Sequence, residues 1–254
     1  SRNTGLMRRL AVWSGPRNLS TALMRSFSSR SDCAVSDEPF YAAYLAATGF
    51  EHPGRQDVLA SQPQDWRRVA TAISEGPAPL PRPVWYQKHM AQHMRAEMVG
   101  PWLERLDHAL LVRHPARVIA SYLKVFPAMT LAETGLPWQM RLFAQLESSR
   151  GAGPVVIDAA DLRRSPEATL RRLCVGLGLA WDPAMLAWPA GPHPQDGVWA
   201  PHWYESTWCS TGFEPVAVDE PLLPEPDVPF LAEAVALYDR LRSCSNAETQ
   251  PTTS

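Results

Sequence analysis

Arg17, Ser20 and Thr21 follow an apolar run at residues 10–13 and a turn-forming Ser14-Gly15-Pro16, and Leu23, Met24 and Phe27 then share one helical face. Strand, turn and helix start with a cation at the mouth is an arrangement that holds a phosphate. The first N–H groups of a helix have no internal partner and sit at the positive end of its macrodipole. Ser20 and Thr21 add hydroxyl donors, and Arg17 adds full charge in a fork that matches a tetrahedral oxyanion. Read alone, the same loop could be an ordinary turn beside a surface arginine. The nucleoside-triphosphate pattern GxxxxGK[ST] fails here: with Gly15 as its first glycine, Ser20 takes the second glycine's place and Thr21 the lysine's. Kinase-like phosphotransfer, which relies on that lysine, is therefore only a third reading.

A second cation closes another apolar run. Within residues 110–124, Arg113 ends the run, Pro115 opens a helix, and Ser121 lies two turns into it. Parallel α/β sheets bind ligands at the carboxyl ends of their strands, which places Arg17 and Arg113 on one crevice. Two cationic points there suit a ligand with two separate phosphates.

These loops need a frame. Short apolar runs at 10–13, 34–36, 84–88, 109–112 and 155–158 read as strands buried on both faces. Helical patterns at 20–30, 66–74, 115–125, 138–149 and 166–176 alternate with them. The last begins with Ser165 as N-cap and Pro166 at the first position. The expected fold is α/β: a three-layer single domain over 1–254 with a mainly parallel central sheet and its core at about 7–242. Residues 182–229, rich in proline and tryptophan, form a loop-rich C-terminal cover; a helix at 230–241 and a disordered polar tail at 243–254 complete the reading.

Composition narrows the partners. Of 254 residues, 45% are hydrophobic, enough for a sizeable core, and the net charge of −2 argues against nucleic-acid or membrane-surface binding. An anionic ligand must then be held by a local cluster of arginines. The four cysteines, Cys33, Cys174, Cys209 and Cys244, have no paired spacing and read as free thiols of a cytoplasmic protein. No run is long enough for a membrane span and none has the form of a signal peptide. His193 and His202 make no convincing metal pair. Oligomeric state is not legible.

The ordered set of motifs resembles the sulfotransferases that use 3′-phosphoadenosine 5′-phosphosulfate (PAPS). Arg17-Asn18-Leu19-Ser20-Thr21 is similar to that family's 5′-phosphosulfate loop, with Leu19 where glycine is usual. Arg113 and Ser121 match its 3′-phosphate pair in type and spacing, and residues 155–179 resemble its third element, a strand, an acidic-Leu pair and a proline-started helix. The resemblance implies a P-loop-like fold, PAPS as sulfuryl donor with 3′-phosphoadenosine 5′-phosphate (PAP) as product, no required metal, and a small-molecule hydroxyl or amine as acceptor. It implies that residues 14–21, from Ser14, Gly15 and Pro16 through Asn18, cradle the phosphosulfate, with Arg17 also serving catalysis.

Sulfuryl transfer needs a group to take the acceptor's proton and cations to hold the leaving charge. Glu38 resembles the position of the glutamate base in bacterial carbohydrate-directed and Golgi-type members. His89 stands near the Lys-x-His-x-Pro motif of cytosolic members, with Lys88 as a contact to the sulfuryl oxygens and His93 as a further choice. Both bases stay open at this point. In residues 196–213, which depart from the family's lid, Trp199, Trp203, Tyr204, Ser210 and Thr211 could cover adenine or line the acceptor pocket. The expected activity is PAPS-dependent sulfuryl transfer; the alternative is a nucleotide-binding protein of this fold that has lost turnover.

Overall fold

The computed structural model describes residues 7–215 and 227–247. In chain order its elements are β1 (Arg8–Ser14), α1 (Ser20–Ser28), β2 (Cys33–Asp37), α2 (Tyr41–Thr48), α3 (Arg55–Ser61), α4 (Trp66–Glu75), β3 (Val84–Met90), β4 (Asp107–Val112), α5 (Pro115–Tyr122), α6 (Leu136–Arg150), β5 (Val155–Asp158), α7 (Ala159–Arg164), α8 (Pro166–Gly176), α9 (Ala200–Trp203), α10 (Glu205–Trp208) and α11 (Leu231–Ala247). The five strands are all parallel, in the order β2-β3-β1-β4-β5. Every expected strand is present, and the fold is the α/β layer architecture read from the sequence.

The strands are buried over most of their length because helices cover both faces, and the period of two sorts their side chains. Leu10 and Val12 of β1 join Val35, Tyr86, Leu111 and Ile157 in one layer, packed under Leu23 and Phe27 of α1 and Leu170 of α8. Ala11 and Trp13 join Ala34, Trp85, Leu110 and Val156 in the other, against Val69 of α4, Leu142 of α6 and Leu241 of α11. Phe27 is fully buried and stacks on Tyr86 at 4.4 Å, so its truncation to alanine should cost about 3–5 kcal/mol.

Helices α2, α3, α7, α9 and α10 were not legible as periodic segments. Five buried residues in a row, Tyr41 to Leu45, leave α2 without a polar face. In α7 the helix starts directly from the strand, because the Asp158 side chain caps it by accepting from Ala160 N at 2.7 Å. Helix α5 ends at Tyr122, short of the expected 125. Helix α11 continues to Ala247, so the polar tail expected from 243 is helical in its first residues; 248–254 lie outside the described residues. In the C-terminal cover, Trp188, Trp199 and Phe213 are buried, while 216–226 lie outside the described residues. No helix among the described residues is long and apolar enough to cross a membrane.

Candidate active site

The carboxyl ends of β1, β2, β3 and β4 open onto a cavity of about 520 Å³, the size of a nucleotide pocket. Residues 16–21 line it, together with Glu38, Lys88, Arg113, Ser121, Trp203 and Tyr204. Gln139 of α6 braces this edge by donating to the carbonyls of Trp13 and Leu111, at 3.0 and 2.9 Å.

The loop after β1 is held from below. A Cβ on Gly15 would lie 2.1 Å from the Thr134 carbonyl oxygen, so only glycine permits this approach. Ser14 is buried with its hydroxyl toward Met90 Sδ, and neither Ser14 nor Gly15 reaches the cavity wall. The Asn18 amide is buried against the loop itself, 3.4 Å from the Leu111 carbonyl or, with the amide turned over, bonded to Pro16 O and Gly15 N. Leu19 precedes α1 at φ 66° and supplies no side-chain cap, leaving the first N–H groups of α1 for a ligand. Arg17 (φ 61°) and Glu38 (φ 39°) are the other non-glycine residues with positive φ among those described, and all three line the cavity. Left-handed backbone costs about 1–3 kcal/mol per residue, and such strain gathers at functional sites.

The two cationic points meet. Arg17 Nε donates to Ser121 Oγ at 2.9 Å, and Arg113 Nη1 donates to the Arg17 carbonyl at 2.6 Å. Arg117, Lys124 and Arg163 extend this wall, giving six basic side chains with Lys88 against the two acids Glu38 and Glu133 among the described residues. The sequence carried a signal for part of it: 113, 117, 121 and 124 recur at helical spacing.

Lys88 is the buried centre of the opposite wall. Its ammonium donates among Thr21 Oγ1 at 3.0 Å, Asp37 Oδ1 at 3.1 Å, Glu38 Oε1 at 2.9 Å and the Tyr204 hydroxyl at 2.6 Å. Burial alone would lower its proton affinity, but Asp37 and Glu38 outweigh that and hold its pKa above the ordinary lysine value. Burial pushes the Glu38 carboxyl up, against the pull of Lys88, and Asp37 pushes it further.

His89 faces the other way. Strand β3 continues through Met90, so Lys88 and His89 point to opposite faces of the sheet. His89 stacks on Trp13 at 4.3 Å, is hydrogen-bonded to Gln87, and does not line the cavity. Burial lowers its pKa to about 3, so both its position off the cavity and its weakened basicity depart from the base role expected of it. His93 does line the cavity, stacked between Tyr41 and Tyr44, with its pKa well below the usual value through burial first and His52 second. Ser210 and Thr211 also lie off the cavity wall: Ser210 accepts from Trp188 Nε1 at 3.1 Å, and the Thr211 carbonyl accepts from Trp188 N at 3.0 Å. Trp199 is buried behind Tyr204, whereas Trp203 is on the wall and stacks on Phe126 at 5.6 Å. Tyr41, Tyr44, His52, Tyr122 and Phe126 complete an aromatic side that no sequence pattern announced. Among the described residues, no group of three or more His, Cys, Asp or Glu side chains is placed to hold a metal ion.

The family model of the sulfotransferase domain matches residues 7–245. The chain belongs to that family. Its curated relatives include branched-chain-amino-acid aminotransferase-like proteins 1 and 2 of Arabidopsis thaliana, 39% and 36% identical over 231 residues. The match spans 91% of this chain but 41% of each relative. Among solved structures, the sulfotransferase domain of the curacin biosynthetic pathway aligns at a TM-score of 0.55 and 16% identity, covering 93% of this chain and 99% of that one. The sulfotransferase domain of the Synechococcus PCC 7002 olefin synthase aligns at 0.56 and 14%, covering 94% and 98%. At these identities the structural likeness concerns the fold.

Proposed function

We propose that this sulfotransferase-family domain transfers a sulfuryl group from PAPS to a hydroxyl or amine of a small-molecule acceptor, with PAP as product. The observation that carries the reading is the Lys88–Thr21–Glu38 cluster at the N-terminus of α1, on the same cavity as Arg17, Ser121 and Arg113. The residues fit the donor: uncapped helix N–H groups and two arginines suit its anionic groups, and the cavity admits a nucleotide. The helix start and Arg17 would hold the 5′ group, and Arg113 with Ser121 the 3′-phosphate.

Bound PAPS supplies an activated sulfuryl group whose S–O bond to the 5′-phosphate breaks as the acceptor oxygen or nitrogen bonds to sulfur. Glu38, at the end of β2, takes the acceptor's proton, and its raised proton affinity makes it a stronger base than an exposed carboxylate. Lys88 faces the sulfuryl oxygens, while Arg17 and the α1 amides stabilise the charge that collects on the departing phosphate. The free thiols of all four cysteines suit a reducing, cytoplasmic setting.

The test begins with PAP and AMP in a thermal-shift titration. PAP should stabilise the protein at concentrations where AMP does not; equal shifts would overturn the donor assignment. Glu38→Gln should retain PAP binding and lose transfer across an acceptor panel. If the wild type binds PAP yet transfers to no acceptor, the second reading stands. Leu19, a side chain where the loop it resembles has glycine, favours that second reading, a nucleotide-binding domain without turnover.

A further inference from the structure

Lys88 carries three protons and has four acceptors within 3.1 Å, so the division of its bonds decides what the neighbouring acids are able to do. Tyr204 resolves part of it. Its hydroxyl has one proton to give, and both oxygens of Asp37 lie within reach, at 2.8 and 2.7 Å. With that proton directed to Asp37, the hydroxyl's lone pairs accept from Lys88 and from Trp199 Nε1 at 3.0 Å. The ring of Tyr204 also lies against the ammonium, 4.6 Å from Nζ to the centroid.

Asp37 is held by three donors in this arrangement. Its carboxylate takes Lys88, Tyr204 and the backbone N–H of Gly197 at 3.1 Å, with its side chain 1% exposed. Glu38, one residue on, takes Lys88 through Oε1 and faces the cavity. Two adjacent carboxylates are thus split by their surroundings, one locked and one facing the cavity.

We propose that Asp37 and Tyr204 are positioning residues: Asp37 is the permanent counter-ion that keeps Lys88 an ammonium, and Tyr204 aims that ammonium at the donor end of the cavity. This rests on the sulfotransferase reading of the site. Asp37 leaves Glu38 available for the acceptor's proton, since Lys88 keeps one anionic partner when Glu38 is protonated. It also ties the C-terminal cover to the chemistry, because Gly197, Trp199 and Tyr204 all come from that cover. The groups facing the cluster are Asp37 and Glu38 from β2 and its end, Thr21 from α1, Tyr41 from α2, His93 after β3 and Tyr204 after α9.

The test is a ¹³C NMR titration of lysine Cε in the full chain, with the Lys88 signal assigned by its loss in Lys88→Arg, alongside PAP binding by calorimetry between pH 7 and 10. The wild type should keep Lys88 charged beyond the ordinary lysine range and bind PAP with little change to pH 9. Asp37→Asn should weaken the proton affinity of Lys88 at least tenfold and make PAP affinity fall with rising pH. Tyr204→Phe keeps the ring and should give a smaller shift of the same sign, with Asp37→Glu restoring most of the wild-type titration. A Lys88 titration unmoved in both Asp37→Asn and Tyr204→Phe, in folded protein, would overturn the assignment. Absence of PAP binding by the wild type would instead overturn the donor reading, whatever the lysine titration shows.

Discussion

Arg17 and Ser121 are hydrogen-bonded across the cavity, Nε to Oγ at 2.9 Å, although 104 positions separate them. The loop after β1 and helix α5, which the sequence reading gave to two separate phosphates, therefore form one continuous basic wall. The Arg113 guanidinium bonded to the Arg17 carbonyl closes the same link from the other side.

That link makes the two residues energetically dependent. Arg17→Ala and Ser121→Ala should each weaken PAP binding, and the double variant should lose less than the sum. The coupling expected for residues in direct contact is about 0.5–3 kcal/mol. A calorimetric double-mutant cycle measures it, and strict additivity would mean that the bond plays no part in ligand binding.

Backbone sign gives a second test at Leu19. With φ at 66°, alanine keeps the left-handed strain and loses the packing of the leucine side chain against the core, whereas glycine loses the packing but relieves the strain. Leu19→Gly should therefore be more stable than Leu19→Ala by about 1 kcal/mol, the reverse of the usual helix order. Urea unfolding of the two variants decides it. Gly15→Ala should be worse than either, since its methyl group meets the Thr134 carbonyl, and PAP affinity should fall with it.

Removing the charge of Lys88 while keeping its bulk leaves Asp37 and Glu38 buried without their cation. Lys88→Met should cost about 3–5 kcal/mol in chemical denaturation, as expected when one partner of a buried pair is deleted. Adding Glu38→Gln should recover part of that loss. Wild-type stability for Lys88→Met would show that the two acids are not ionised in the folded protein.

Acid should destabilise the fold from the ordinary histidine range downward. Burial lowers the pKa of His89 to about 3 and that of His108 to about 4, and His93 moves in the same direction. Below the ordinary histidine value the unfolded chain binds protons that the folded chain refuses, so stability falls as pH drops from about 6.5 toward 4. At pH 5 the loss is about 2 kcal/mol for each of His89 and His108. Urea midpoints at pH 7 and pH 5 measure it, and His108→Gln should flatten the dependence. Trp13 Nε1 donates to His108 Nδ1, so a glutamine acceptor there keeps a partner for the indole.

Sequence alone determined the features that local patterns carry. The strands were legible because a short apolar or β-branched run marks each of them, and the loop at 14–21 because turn residues, a cation and a helix start follow one another directly. Arg113 and Ser121 were legible because two helical turns fix their spacing, and the family followed from the order of these parts.

Tertiary structure decided which of the neighbouring candidates face the cavity. Lys88 and His89 are adjacent in sequence, yet the two-residue period of β3 sends one to the cavity and the other against Trp13, and this depended on the strand continuing to Met90. The partners of Lys88 lie 50 to 116 positions away, in segments whose own patterns carry no sign of one another. Tyr204 and Asp37 meet at the Lys88 ammonium, which burial keeps from water. A buried charge must find its partners among whatever the fold brings near, and no local spacing in the chain encodes that meeting.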